Sequence, residues 1–153
     1  MNKSLLPTLL ITALFSTSAF AEASDSFKKA EDAVKYRKAA FRLISHNFAD
    51  MGAMMKGKKP FNANVFSARA DNVAALSHLP LEGFIKNSNI SDSKAKDDIW
   101  GNKADFETKM QKFQVDTANL ARIAASGDQK AIKSAFGQTA KNCKSCHKSY
   151  KKD

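Results

Sequence analysis

Three prolines, six glycines and two cysteines are all that 153 residues hold of the types that interrupt helices or cross-link a fold. One pair, Cys143 and Cys146, is too few for a disulfide framework. β-Branched residues are sparse and apolar/polar alternation is absent outside the N-terminal segment, so a sheet-based fold is not expected. No internal repeat, low-complexity tract or shift of composition marks a second domain. The one long apolar run, Leu5 to Phe15, is too short to span a bilayer comfortably. Carboxylates are scarce as well, 15 against 25 lysines and arginines, for a formal net charge of +10. In a cytosolic chain that balance would point towards nucleic acid.

The N-terminus redirects that reading. Lys3 supplies a charged start, Leu5 to Phe15 an apolar stretch, and Ala19-Phe20-Ala21 a small-residue cleavage site, which together describe a secretory signal peptide. Residues 1–21 are expected to be removed, leaving a single domain at 22–153 with no membrane anchor, exported to the periplasm. Export takes nucleic acid off the list of partners. The basic surface is then either a solvated lysine coat or a docking patch for an acidic redox partner, and charge alone does not separate the two.

Helical periodicity runs through the mature chain. Phe27, Ala30, Val34, Arg37, Phe41, Ile44, Phe48, Met51 and Met55 step by three and four, a single seam broken only by the charge of Arg37. Gly57 and Pro60 then supply a stop. A second helix is expected after Asn62 as its cap, burying Val65, Phe66, Val73 and Leu76. Leu79 to Gly101 reads as a long connection holding Pro80, Phe84 and Trp100. Asn102 with Asp105 resembles a capping pair for a third helix carrying Phe106, Met110, Phe113 and Leu120. Gly127 closes that helix and Asp128 caps a fourth, whose seam is Ile132, Phe136, Thr139, Cys143, Cys146 and Tyr150. Four helices with two short connections and one long one predict an all-α antiparallel four-helix bundle.

The last helix brings chemistry. Cys143-Lys144-Ser145-Cys146-His147 is a C-x-x-C-H sequence, which reads as the attachment site of one covalent haem c. Two thiols add to the haem vinyl groups, and the adjacent His147 imidazole takes one axial position on the iron. Both cysteines fall on the inward stripe, so the haem is expected inside the bundle near the end of its last helix. Six residues follow His147, so whatever faces the other side of the iron is expected from earlier in the chain. A thioredoxin-like redox pair would need a βαβ context, and a structural zinc would need a fourth ligand from elsewhere.

The chain resembles the class II cytochromes c, and specifically the cytochrome c′ family. The likeness is carried by Glu31-Asp32-Ala33-Val34-Lys35-Tyr36-Arg37, by Ile99-Trp100, and by Ala135-Phe136-Gly137 leading into the C-x-x-C-H sequence. It implies that His147 is the proximal ligand and that the sixth position is empty or readily vacated. The position over the open face corresponds to Phe41, whose phenyl ring cannot ligate iron; six-coordinate relatives carry methionine there. Arg37, a charge on an apolar seam, would find a bidentate partner in a haem propionate, and the resemblance points the same way. Lys151 stands one turn below His147, where such proteins place an arginine or lysine near the proximal imidazole; solvated charge at a helix C-terminus accounts for it equally well. Met51, Met55 and Met110 read as core residues, and His46 and His78 as surface ones.

Two functions follow. An open site behind Phe41 fits a periplasmic haem protein, not an enzyme, that binds small diatomic gases such as nitric oxide and carbon monoxide and changes iron redox state. A monohaem electron carrier meeting a periplasmic redox partner is the alternative. A homodimer through the first two helices, with Ala39, Ala40 and Leu43 at the contact, is compatible with either. Mass spectrometry of the exported polypeptide should find one haem added to a chain beginning near Glu22; an unmodified chain would contradict the attachment reading.

Overall fold

The structure is a computed structural model and describes residues 27–152. The expected signal segment, 1–21, lies outside them. Helix α1 spans Ala30–Met55, α2 Ala63–Leu76, α3 Asp98–Gly101, α4 Lys103–Ala124 and α5 Gln129–Tyr150, with a 3₁₀ turn at Pro80–Gly83. The four long helices form an all-α bundle in which α1 lies against α2, α2 against α4, and α4 against α5. Helices α1 and α5 meet through side chains rather than close backbone, as in the stacked Phe48 and Phe136 rings 4.4 Å apart.

The inward face of α1 is broader than a single seam. Val34, Arg37, Ile44 and Met51 are buried as expected, and a second row, Ala33, Ala40, Asn47 and Met54, is buried beside them, which takes Ala40 out of the expected dimer contact and leaves Ala39 and Leu43 exposed. This wider stripe is what a helix needs to touch two neighbours at once. Asn47 turns towards α2, where its Oδ1 accepts from Asn72 Nδ2 at 3.0 Å. Phe48 lies along the opposite edge, against α5, and Phe41 lies one heptad before it on that edge. Phe27 precedes the helix and packs on Tyr36, ring centroids 5.0 Å apart.

Caps account for several boundaries. Val65 N–H donates to Asn62 Oδ1 at 3.1 Å, and Asp128 Oδ1 accepts from the backbone of Lys130 and Ala131. At the end of α1, Gly57 takes a φ of 67°, which lets Lys58 N–H reach back to Ala53 O at 2.9 Å. Two expectations need correction. Val65 is 37% exposed, because the buried register of α2 is Phe66, Ala70 and Val73. Asn102 makes no side-chain cap, since its φ of −131° and ψ of 51° take it out of the usual N-cap conformation, and Asp105 bonds to Tyr150 instead.

The connection between α2 and α4 is ordered rather than loose. Arg37, 3% exposed, holds it from within: its guanidinium donates to Gly83 O, Ser88 Oγ, Ser88 O and Ser93 Oγ at 2.5–2.7 Å. The same group lies over the Phe84 ring at 4.5 Å and near Trp100 at 5.5 Å. Gly83 passes so close to α1 that a Cβ there would sit 2.7 Å from Ala33 O and 2.9 Å from Arg37 Cβ. Gly83→Ala is therefore expected to destabilise the protein by about 1–3 kcal/mol in denaturant unfolding; an unchanged midpoint would show that the connection does not press on α1.

Candidate functional site

Two apolar clusters fill the bundle. The larger gathers Ile44, Met51, Phe66, Val73, Leu120 and Ile132 among others, and half-buried Cys143 packs on its edge. The smaller is Ile99, Phe106, Met110 and Tyr150, with Cys146 on its edge. Phe41 touches both clusters. The two thiols, three residues apart on one face of α5, rise about 4.5 Å along the axis and so look into adjoining regions of one interior.

Two contacts pin α5 against α4 on either side of the cysteines. Tyr150 Oη donates to Asp105 Oδ2 at 2.5 Å. Asn142 Nδ2 donates to Asp116 Oδ2, which also accepts from Lys112 Nζ at 2.9 Å. Thr139 Oγ1, one turn before Cys143, bonds within α5 to Ala135 O at 3.0 Å and is fully buried. The hydrogen bond from Tyr150, helped by Lys109, holds the Asp105 carboxyl below the ordinary carboxylate range. The same bond pushes the Tyr150 phenol up to about 12. Burial alone would raise Asp116, but the bonds from Lys112 and Asn142 outweigh it and hold its carboxyl low.

The three groups of the C-x-x-C-H sequence lie together in the last two turns of α5. Cys143 and Cys146 are free thiols, and burial raises the pKa of both. His147 lies next to them on the outer side of α5, beside a cleft of about 520 Å³ lined also by Ala140, Lys144, Lys148 and Lys151. Burial, then the charge of Lys151, lowers the imidazole pKa and favours the neutral ring that binds metal. Among the described residues no three His, Cys, Asp or Glu side chains cluster to hold an ion by themselves.

The other expected site residues lie as follows. Phe41 is half-buried at the junction of the clusters, 6.4 Å from the Phe84 ring in an edge contact. Lys151 is exposed and ends α5, its N–H bonded to His147 O at 3.1 Å. Arg37 is a buried cation whose neighbours are neutral oxygens and ring faces, and burial pulls its pKa down to about 10. Both hydrogens of each terminal nitrogen are taken by these oxygens, so the bidentate propionate partner expected from the sequence does not fit Arg37 here, and its charge acts chiefly to hold the connection. Met51 and Met110 are buried in the core, whereas His46 and His78 are exposed.

Ser88, Ser93 and Gly83, the partners of Arg37, belong to no recognisable motif. The signal was present: a charge on an apolar seam needs oxygens, and the Ser- and Asn-rich connection is where they are concentrated. The Asp116–Asn142 clip carried no pattern, because its members are 26 residues apart on different helices.

A bundle with two inward thiols followed by a histidine on its last helix defines the four-helix class of c-type haem proteins. Comparison with known proteins narrows this. The family model for cytochrome C′ matches residues 32–151, and the chain belongs to that family. It is similar to a solved cytochrome c prime from Shewanella frigidimarina, with 59% identity and a TM-score of 0.82 over 83% of this chain and 99% of that one. A cytochrome c′ of Alcaligenes xylosoxydans xylosoxydans is 36% identical over 126 residues, 82% of this chain and 98% of its own length. A nitric oxide complex of a variant cytochrome c prime from Alcaligenes xylosoxidans shares 35% identity, with a TM-score of 0.77 over 83% and 98% of the two chains. The cofactor is accordingly one haem c, joined through Cys143 and Cys146. Proteins of this family are electron carriers rather than enzymes.

Tyr150→Phe tests the clip through pH. Asp105, held low, adds stability above the unfolded carboxylate value of about 3.9, lost as pH falls through its folded value. Tyr150, held high, adds stability below the unfolded phenol value of about 10, lost as pH rises towards about 12. The stability gap between the parent and Tyr150→Phe should therefore be flat from about pH 4 to 10 and narrow on both sides. A gap independent of pH in denaturant melts would rule out the hydrogen bond as its source.

Proposed function

We propose that the protein is a periplasmic five-coordinate haem protein that binds small diatomic gases and undergoes iron redox change. The mature domain is taken as 22–153, exported behind a cleaved 1–21 signal. The observation that carries the reading is Phe41, an apolar ring at the junction of the regions reached by the two thiols. The nitric oxide complex of an Alcaligenes xylosoxidans relative supports it.

The haem would supply an iron able to change between ferric and ferrous and to bind a diatomic ligand. His147 is assigned as the proximal ligand, its neutral state favoured by partial burial and by Lys151. Arg37 is assigned to positioning: it holds the connection over the smaller cluster and adds a positive charge to the interior that the anionic propionates would enter. Phe41 is assigned to the distal face, where it excludes bulky ligands and must move aside for small ones. It offers no hydrogen bond, which disfavours oxygen relative to nitric oxide and carbon monoxide. It offers no proton either, which leaves peroxide cleavage without an acid or base.

Electron carriage alone is the second reading, favoured by the family's role and by the basic surface. Absorption spectra distinguish the two. The gas-binding reading expects high-spin bands and a large shift on adding carbon monoxide to the ferrous protein; sharp low-spin bands that ignore the gas would overturn it. Phe41→Met should drive the spectrum towards low spin, and an unaltered spectrum would remove Phe41 from the pocket.

A further inference from the structure

Helix α5 carries a second stripe that haem attachment does not use. Lys130, Lys133, Lys141, Lys144, Lys148 and Lys151 follow one another, with Gly137 in the gap, by steps of three and four. This row lies on the side of the helix opposite Ile132, Phe136, Thr139, Cys143, Cys146 and Tyr150. All six lysines are exposed. The helix contains no carboxylate, and the ion pairs formed among the described residues all lie on α1, α2, α4 and the connections. Asp128 caps the start of α5 through the backbone of Lys130 and Ala131, and Asp105 and Asp116 sit on the α4 side, already bonded to Tyr150, Lys109, Lys112 and Asn142.

Helix stability does not explain the row. Like charges at i, i+3 and i, i+4 oppose helix formation by about 0.2–0.5 kcal/mol per pair. Lys148 and Lys151 suit the C-terminal end of the dipole, but Lys130 and Lys133 stand in the first turns, where a cation is unfavourable. The residues flanking the stripe include Ser134, Gln138, Ser145 and Ser149, all exposed and without a long apolar side chain to insert into lipid.

We propose that the outer face of α5 is the docking surface for an acidic protein redox partner. The partner would lie along the lysine stripe, so that the electron passes through the end of the bundle where Cys143 and Cys146 hold the porphyrin. This rests on the redox part of the proposed function and adds a place and a charge sign for the partner. Complementary charge of this kind raises encounter rates and falls off steeply with salt.

Stopped-flow oxidation of the ferrous holoprotein by two small reagents tests it. In each, iron gives up one electron and the reagent takes it: hexacyanoferrate(III), a trianion, becomes hexacyanoferrate(II), and tris(phenanthroline)cobalt(III), a trication, becomes cobalt(II). The anion's rate should fall with ionic strength. It should also fall at least about fivefold in a Lys133→Glu, Lys141→Glu, Lys148→Glu variant, while the cation's rate rises. Poly-L-glutamate at low salt, standing in for an acidic protein face, should slow the anion in the parent and not in the variant. A milder variant with glutamine at the same three positions should give intermediate rates and guards against misfolding of the first.

Equal rates in parent and variants, or no effect of poly-L-glutamate on the parent, would overturn the proposal. Sedimentation of the parent with phosphatidylglycerol vesicles at physiological salt would overturn it in favour of a membrane surface. The carbon monoxide response of the same samples separates the two readings. Its loss in the parent would count against the open iron site, whereas charge-independent rates with an intact response count against the docking face alone.

Discussion

Everything at the site depends on which face of the last helix looks inward, and two hydrogen bonds to α4 carboxylates set that face. Tyr150 reaches Asp105 after the C-x-x-C-H sequence, and Asn142 reaches Asp116 immediately before it. A helix turns about 100° per residue, so a slip of one position would swing both thiols out of the interior and leave the lysine row partly buried. The clips sit on either side of the functional residues, Asn142 beside the inward stripe and Tyr150 on it, packed with Phe106 in the smaller cluster.

The second constraint is the charge inside α1. Arg37 would be costly to bury alone, and here four short hydrogen bonds and two ring faces offset that cost. In return the connection from Gly83 to Ser93 is drawn onto the bundle, where Phe84 and Ile99 help build the smaller cluster around Cys146. The bundle interior is thus divided: one part is an ordinary helix–helix core, the other is roofed by the connection. Phe41 stands where they join, and α1 supplies both that ring and the cation one turn before it.

The helices and the attachment sequence were legible because they depend on local periodicity and on residues adjacent in the chain. Asn62 and Asp128 cap as their types suggest, and the inward register of α5 follows from Ile132 through Tyr150. What escaped depends on contacts between distant segments. Val65 and Phe66 are both apolar neighbours, and only the packing of α2 against α1 and α4 decides that Phe66 is the buried one. Asp105 looked like a cap partner because it stands three residues after Asn102, but a phenol 45 residues away competes for it. Arg37 announced a need for oxygen acceptors, and the identity of those acceptors became visible only once the connection was folded over it.

His147 is proposed as the single protein ligand to the haem iron, with Phe41 on the opposite side. X-ray absorption at the iron edge of the ferrous holoprotein tests this most directly. A five-coordinate iron with nitrogen neighbours only is expected, four from the macrocycle and one from an imidazole. A sixth protein ligand, whether a methionine sulfur or a second nitrogen, would contradict it.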